Sequence, residues 1–469
     1  MHTPTIRTEI REYLEEHELS MSEFAATAEL NAGTVSVMVK SNRALSVHQL
    51  DSVTKAMGKP EDYFYTRYIQ EYILGSSVDW RRAKNFLQRC MELNRLDCIE
   101  QVVGILMDNI SYYAAPVFDL AEDFFAQDQW EAAAILYKNV AFNERHQHSE
   151  RLAVCQYRLF KIRIGDDQVQ NLKAAVEFDP YTERLDEVEQ LDALKDLANL
   201  YRSLGKWDKV FELAQAMGQQ ARILYEWKYS SKREDREQLE KIAKLSGPLF
   251  GYIAYSDLLS ASACDERGDY EQGARFIQAY ADLSWVKEQD EEAEKWKRSF
   301  LEWAASNACL NKLMAGDIRV LPEYVQHIDQ SEEDIFVELI NVIEAAMRHN
   351  VDIDDIIERF EPKVMDSWQR EADDVYTRQV LPGEVSLYWY KLAKYKLLKG
   401  VYSYGLKCLI NSLEISSTIN HTALIISSMG LYEQFRTFSD VEVQAQYSTI
   451  IRRVWDKENE KDGFYFGNY

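Results

Sequence analysis

The stretch Leu194–Met217, LKDLANLYRSLGKWDKVFELAQAM, constrains the fold more than any other part of the chain. Leu194, Leu197, Ala198 and Tyr201 share one helical stripe at i, i+3, i+4 and i+7. Gly205 follows where a tight turn needs a residue at ease with positive φ. Trp207, Val210, Phe211 and Ala214 then make a second stripe. The segment therefore reads as two amphipathic helices joined by a short turn. Neither helix can bury its apolar face alone, and stacking such pairs builds a continuous core.

The same pattern returns along the chain. Asp128 precedes Trp130, Gly268 precedes Tyr270 and Gly400 precedes Tyr402, with weaker copies at Asn94–Leu96 and Gly316–Ile318. This stretch and its copies resemble the tetratricopeptide repeat, a helix hairpin with a small-residue turn followed by an aromatic. Leu96 to Trp130 is one repeat length. Strand-like alternation is almost absent, so the expected class is all-α. The long gap from Tyr270 to Tyr402 predicts degenerate repeats, and Pro382-Gly383 reads as a helix break between Val380 and Glu384. Irregular joints are also expected at Gly165–Asp167 and Tyr229–Glu234.

A chain of 469 residues exceeds one hydrophobic core and suits a small domain followed by a long array. No apolar run is long enough to span a bilayer. The opening MHTPTIRTEIREYLEEHELS lacks the apolar segment of a signal peptide. Six cysteines without paired spacing read as buried thiols in a reducing cytoplasm. The formal charge of −24 opposes a general nucleic-acid-coating role and binding to anionic membranes, while leaving room for one local basic face. Neither the phosphate-binding nor the catalytic motifs occur, and the acidic pairs Asp354-Asp355 and Asp373-Asp374 read as solvated surface. His146-Gln147-His148 alternates helix faces, which disfavours a metal site there. The expectation is no enzyme, no cofactor and no metal.

The first sixty or so residues predict four short helices. Ile6, Ile10, Tyr13 and Leu14 give the first its apolar face. Ser20 or Ser22 caps the second, with Glu23 placed for a capping box, and Phe24, Ala25 and Ala28 point inward. A turn at Leu30–Gly33 leads to a third helix over Thr34–Lys40, with Val35 and Met38 inward. Ser46 caps a fourth carrying Leu50, Val53 and Met57, and Gly58-Lys59-Pro60 stops it. These residues resemble the helix-turn-helix of phage-repressor-type regulators. Leu19–Ala25 matches its first helix, Asn31–Met38 its recognition helix, and Lys40-Ser41-Asn42-Arg43 its basic linker. The resemblance implies DNA contacts by Ser22, Thr34, Ser36, Val37, Lys40, Asn42 and Arg43. Met21, Ala32 and Val37 depart from the family's polar residues, which removes bidentate base contacts. Lys40, Asn42 and Arg43 suit phosphate, which positions without specifying.

The two resemblances set domain borders at 1–64 and 65–469, joined by a short helix from about Thr66 to Leu74. In a right-handed array of helix pairs the first helices line a concave face. Aligning the repeats puts Arg81, Lys84 and Gln88, then Phe118, Glu122 and Phe125, then Lys195, Asn199 and Arg202, and later Tyr390 and Lys394 on that face. Asn307 and Asn311 are looser members. The Asn199 amide can donate to and accept from an extended peptide backbone, and Arg202 can hold a carboxylate. Taken together, Arg81, Lys84, Gln88, Lys195, Asn199, Arg202 and Tyr390 are the expected peptide-binding residues. A helix-turn-helix head before tetratricopeptide-like repeats resembles the peptide-sensing RRNPPA regulators of Gram-positive bacteria and their phages. The resemblance implies a cytoplasmic homodimer that binds operator DNA and is switched by a short signalling peptide. The alternative is a repeat adaptor that binds another protein and keeps a vestigial helix-turn-helix, as the acidic first helix suggests.

Overall fold

The computed structural model describes residues 4–41, 44–74, 78–146, 149–230, 236–330, 335–369 and 375–461, and every regular element among them is a helix. The chain divides into two compact units, Met1–Ile162 and Arg163–Tyr469.

The first unit opens with α1 (Ile6–Glu16), α2 (Met21–Thr27), α3 (Ala32–Lys40) and α4 (Val47–Ala56). Their ends are set by local chemistry. Ser20 and Glu23 close a reciprocal capping box on α2, and Ser46 with Gln49 does the same on α4. Ile6, Ile10, Leu14, Phe24, Val35, Leu50 and Val53 are buried, as their spacing predicts. The expected turn at Leu30–Gly33 lies earlier than read. Glu29 takes the left-handed conformation (φ 54°), and Asn31 accepts from the Gly33 N–H, so Ala32 and Gly33 already belong to α3.

A joint of α5 (Tyr65–Tyr68) and a π-helical turn, Ile69–Ile73, follows the head. Two hairpins come next, α6 (Trp80–Glu92) with α7 (Leu96–Met107) and α8 (Ile110–Ala126) with α9 (Trp130–Glu144), then α10 (Glu150–Arg163). Phe86 of α6 is fully buried against both Tyr65 and Tyr68, each ring 5.0 Å away. The Tyr68 hydroxyl donates to the Leu45 carbonyl at 2.7 Å, tying the joint back to the head. The compact unit therefore does not end at the expected border after residue 64 but continues through the hairpins to Ile162.

The second unit runs through α11 (Gln168–Phe178), a 3-10 turn at Asp179–Arg184, α12 (Glu189–Ser203), α13 (Trp207–Ser230), α14 (Arg236–Ile242), α15 (Leu249–Glu266) and α16 (Tyr270–Ala281). It continues with α17 (Glu291–Met314), α18 (Leu321–Gln330), α19 (Ile335–His349), α20 (Asp354–Gln369), α21 (Val375–Leu398), α22 (Tyr402–Thr418), α23 (Thr422–Phe435) and α24 (Val441–Lys461). The pairs α12–α13, α15–α16, α17–α18, α19–α20 and α21–α22 pack as hairpins, and α12, α15, α17, α19 and α21 are neighbours in series.

One device closes these hairpins. At Gly205 (φ 64°) the chain turns left-handed, and the Lys206 N–H bonds the Tyr201 carbonyl at 2.9 Å. The same bond recurs after Asn94, Asp128, Gly268, Gly316 and Gly400, all read from sequence, and after Asn350 and Asn420, which were not. Asparagine and aspartate tolerate this conformation because their short polar side chains bond locally.

The expected break at Pro382-Gly383 is instead interior to α21. Proline there removes one backbone bond, while burial of Val385, Tyr388 and Leu392 along the same helix keeps it continuous. The array also returns on itself. The Gln168 N–H at the start of α11 bonds the Ile419 carbonyl at 2.9 Å, and the Asn420 amide donates to the Asp167 carboxylate. All six cysteines are free and buried. Among the described residues no helix is long and apolar enough to cross a membrane.

Candidate nucleic-acid interface and peptide-binding surface

In the head, Val35, Met38 and Val39 anchor α3 to the core. Ala32, Gly33, Val37 and Lys40 therefore face solvent, with Thr34 and Ser36 half-buried at the edges of that face. Val37 is 42% exposed. Ser22 is exposed at the first turn of α2. Asn42 and Arg43 lie outside the described residues. No carboxylate stands on α3, and its one charge is Lys40.

Four acids of the head are taken up by arginines. Arg67 pairs with Glu9 and covers the Tyr63 and Phe64 rings at 5.1 and 4.8 Å. Partial burial opposes the Glu9 charge, yet the hydrogen bond and charge of Arg67 hold its carboxyl below the usual range. Arg89 takes Asp51 at 2.9 Å and Glu61 at 3.1 Å, and Arg95 takes Asp62. Glu12, Glu15 and Glu16 stay on the solvent face of α1, and Glu18 is exposed in the turn after it.

The seven expected peptide-binding residues do not come together in one unit. Arg81, Lys84 and Gln88 stand on α6 of the first unit, and Lys195, Asn199, Arg202 and Tyr390 in the second. Lys84 is engaged by Asp123 at 3.3 Å. Glu122, read as concave, is gripped by Nε and one Nη of Arg158 at 3.1 Å and by the Tyr137 hydroxyl, with Phe118 and Phe125 flanking that tyrosine. Lys195 is bound to Asp192 at 3.0 Å and to Ser246. Tyr390 packs half-buried against the core. Asn307 and Asn311 are also internal. They donate to the Tyr280 hydroxyl at 2.8 Å and to Asp265 at 2.6 Å.

Asn199 comes closest to its expected role, with a change. Its Oδ1 accepts from the Tyr255 hydroxyl of α15 at 2.6 Å, so the two-sided amide clamp is half used. Further along the series of first helices, a charged group appears that sequence spacing missed. Lys391 of α21 reaches Glu344 of α19 at 3.0 Å, and Arg348 lies 3.7 Å from the same carboxylate. Glu266 of α15 faces them. Solvent still reaches it, but the surrounding protein and the Glu344 carboxylate push its carboxyl up, against Lys391 and Arg348. Two cations and two carboxylates on adjoining helices can hold a charged side chain or either end of a short peptide. A separate cleft of about 590 Å³ lies between the 3-10 turn, α12 and α13, lined by Asp179, Thr182, Gln190, Glu212 and Gln219 among others. None of the expected peptide-binding residues lines it.

Beside this surface, burial pushes the Asp265 carboxyl up to about 6, despite the hydrogen bond from Asn311. The folded state then holds its proton more tightly than the unfolded chain between about pH 4 and 6. Stability falls as pH rises through that window. Asp265→Asn keeps the acceptor for Asn311 and removes the charge, so it is expected to unfold at higher urea than the parent at pH 7.5. The gap should vanish near pH 4, and a gap independent of pH would refute the assignment.

No family model matches the chain, and no curated protein matches it. Among solved structures it is similar to a circular tandem repeat protein with novel repeat topology and enhanced subunit contact surfaces. The identity is 12%, over 96% of this chain and 91% of that one, and the TM-score is 0.17, too low to carry an argument about the fold.

Proposed function

We propose that the chain is a peptide-gated DNA-binding regulator. It pairs a phage-repressor-type helix-turn-helix head with a right-handed tetratricopeptide-like superhelix and works as a homodimer in the cytoplasm. The reading rests most on the outward face of α3. That face is small, free of carboxylates and closed by Lys40, while four of the head's acids, Glu9, Asp51, Glu61 and Asp62, are paired with arginines. A close-approaching helix with a terminal lysine suits a groove and its phosphates. The signalling ligand is a short peptide held along the first helices of the second unit, with Asn199 and the group around Glu344, Arg348 and Lys391 as its polar contacts. A ligand of this kind acts only by its differential affinity for two states, and a coupling of about 1–3 kcal/mol changes operator affinity about 5- to 150-fold.

The exposed Glu12, Glu15, Glu16 and Glu18 favour the adaptor reading, in which the head contacts a protein. One experiment separates the two. The full chain is tested on DNA from upstream of its own gene at two salt concentrations, with and without synthetic peptides from an adjoining small reading frame. Specific, salt-dependent binding that a peptide alters is expected. Lys40→Glu should weaken it across sequences and lower the salt slope by about 1 for each head on DNA. Equal affinity of Lys40→Glu and parent at both salts would remove α3 from the interface, and absence of any binding at low salt would favour the adaptor.

A further inference from the structure

Cys309 lies on α17, and Glu323 and His327 lie one turn apart on α18. The chain folds α18 back beside α17 through the left-handed turn at Gly316 (φ 109°) and the short helical turn Ile318–Val320. Tyr324, Val325 and Ile328 are buried and fix the rotation of α18. That rotation sets Glu323 and His327 along one edge of the helix. Cys309 is buried at 4% exposure in the same core, together with Leu313. One sulfur, one carboxylate oxygen and one imidazole nitrogen, one from each residue, then all lie within 4.8 Å of one another.

We propose that Cys309, Glu323 and His327 form a zinc site that pins α17 to α18. The donor set selects the ion. A thiolate with an imidazole suits zinc and rejects magnesium and calcium, which demand oxygen. The charge also balances, since thiolate and carboxylate together neutralise a divalent cation, with the imidazole neutral. Tetrahedral zinc at its usual bond lengths puts such donors about 3.5 Å apart. Glu323 is exposed and His327 half-buried, so both side chains have room to turn toward the sulfur. Binding replaces the S–H bond of Cys309 with S–Zn and releases that proton to solvent. Three protein ligands leave the fourth position to water, so the site is both a clamp and an open metal centre. Sequence spacing hides it, because the cysteine and the other two ligands stand on opposite sides of the hairpin turn.

The test uses the full chain, stripped with chelator and titrated with Zn²⁺ and with Co²⁺. We expect one equivalent of zinc to bind and raise the melting temperature. The cobalt form should show sulfur-to-cobalt charge transfer and intense tetrahedral visible bands. Cys309→Ser should lose the charge transfer, and His327→Ala should weaken affinity by at least about tenfold. His327 is half-buried on an edge, so that variant keeps the fold and keeps the test informative if serine at 309 unfolds the hairpin. Absence of saturable binding at micromolar zinc overturns the proposal. So does a cobalt spectrum without sulfur character, or one that both variants leave unchanged.

Discussion

Phe86→Ala will cost the first unit about 3–5 kcal/mol, near the top of the range for an aromatic truncated in a core. The reason lies in what surrounds the ring. Tyr65 and Tyr68 pack on it from the joint between head and hairpins, each at 5.0 Å. Neither can move into the space alanine leaves. The Tyr65 hydroxyl is held by Asp51 at 2.9 Å, and the Tyr68 hydroxyl by the Leu45 carbonyl at 2.7 Å. Asp51 is itself fixed by Arg89 of α6. The cavity therefore stays open, and its lining loses contact energy that no rearrangement returns. Denaturant unfolding of the full chain measures the loss, and hydrogen exchange locates it. Amides of α1–α4 should exchange well before those of α7–α9, whereas the parent protects both. Phe86→Leu keeps most of the volume and should cost only about 1 kcal/mol. If alanine cost no more than leucine, the tyrosine rings would have to be free to collapse.

The second large effect is expected at Gly218. This residue lies on α13 where the helix crosses α15, and a Cβ there would stand 2.3 Å from the Ser256 Oγ and 2.9 Å from its Cβ. Ser256 is buried and its hydroxyl donates to the Ile253 carbonyl at 2.7 Å, so it cannot swing aside without losing that bond. Gly218→Ala must push the two helices apart. Overpacking of this kind costs about 1–3 kcal/mol. The next turn adds to the damage, because Arg222 bridges to the buried Asp257 across the same contact at 3.1 Å. Burial already pushes the Asp257 carboxyl up in spite of that arginine. Separating the helices would leave it with less compensation. Ser256→Gly, added to Gly218→Ala, clears both clashing atoms and should recover most of the loss. The double-mutant cycle should then show a coupling of at least about 1 kcal/mol. Simple additivity would mean that α13 and α15 already have room to spare.

Local chemistry made much of the fold legible. Ser20 with Glu23 signalled a capping box in neighbouring residues, and the structure forms it. The turns at Gly205, Gly268 and Gly400 were readable because a residue suited to positive φ precedes an aromatic that starts the next helix. Asn350 and Asn420 make the same turn and were not read, although Asn94 and Gly316, equally without that aromatic, were. Pro382-Gly383 misled for the opposite reason. Its local preference is to stop a helix, and the buried run Val385, Tyr388 and Leu392 outweighs it. The candidate site was less visible, since it depends on partners far along the chain. Nothing near Asn199 announces Tyr255, and nothing near Tyr390 shows that Lys391 is the side chain that meets Glu344. Spacing on a single helix gives a face. It does not give the neighbour that occupies it.

The bond from Gln168 to Ile419 and that from Asn420 to Asp167 give the second unit a property that open arrays lack. An open stack of hairpins depends only on nearest neighbours, so its terminal repeats fray and folding can start anywhere. Here the first helix of the unit leans on the turn before α23. Fraying at that start must break contacts made far along the chain, and the loop between the joined ends closes only when the intervening hairpins stand in place.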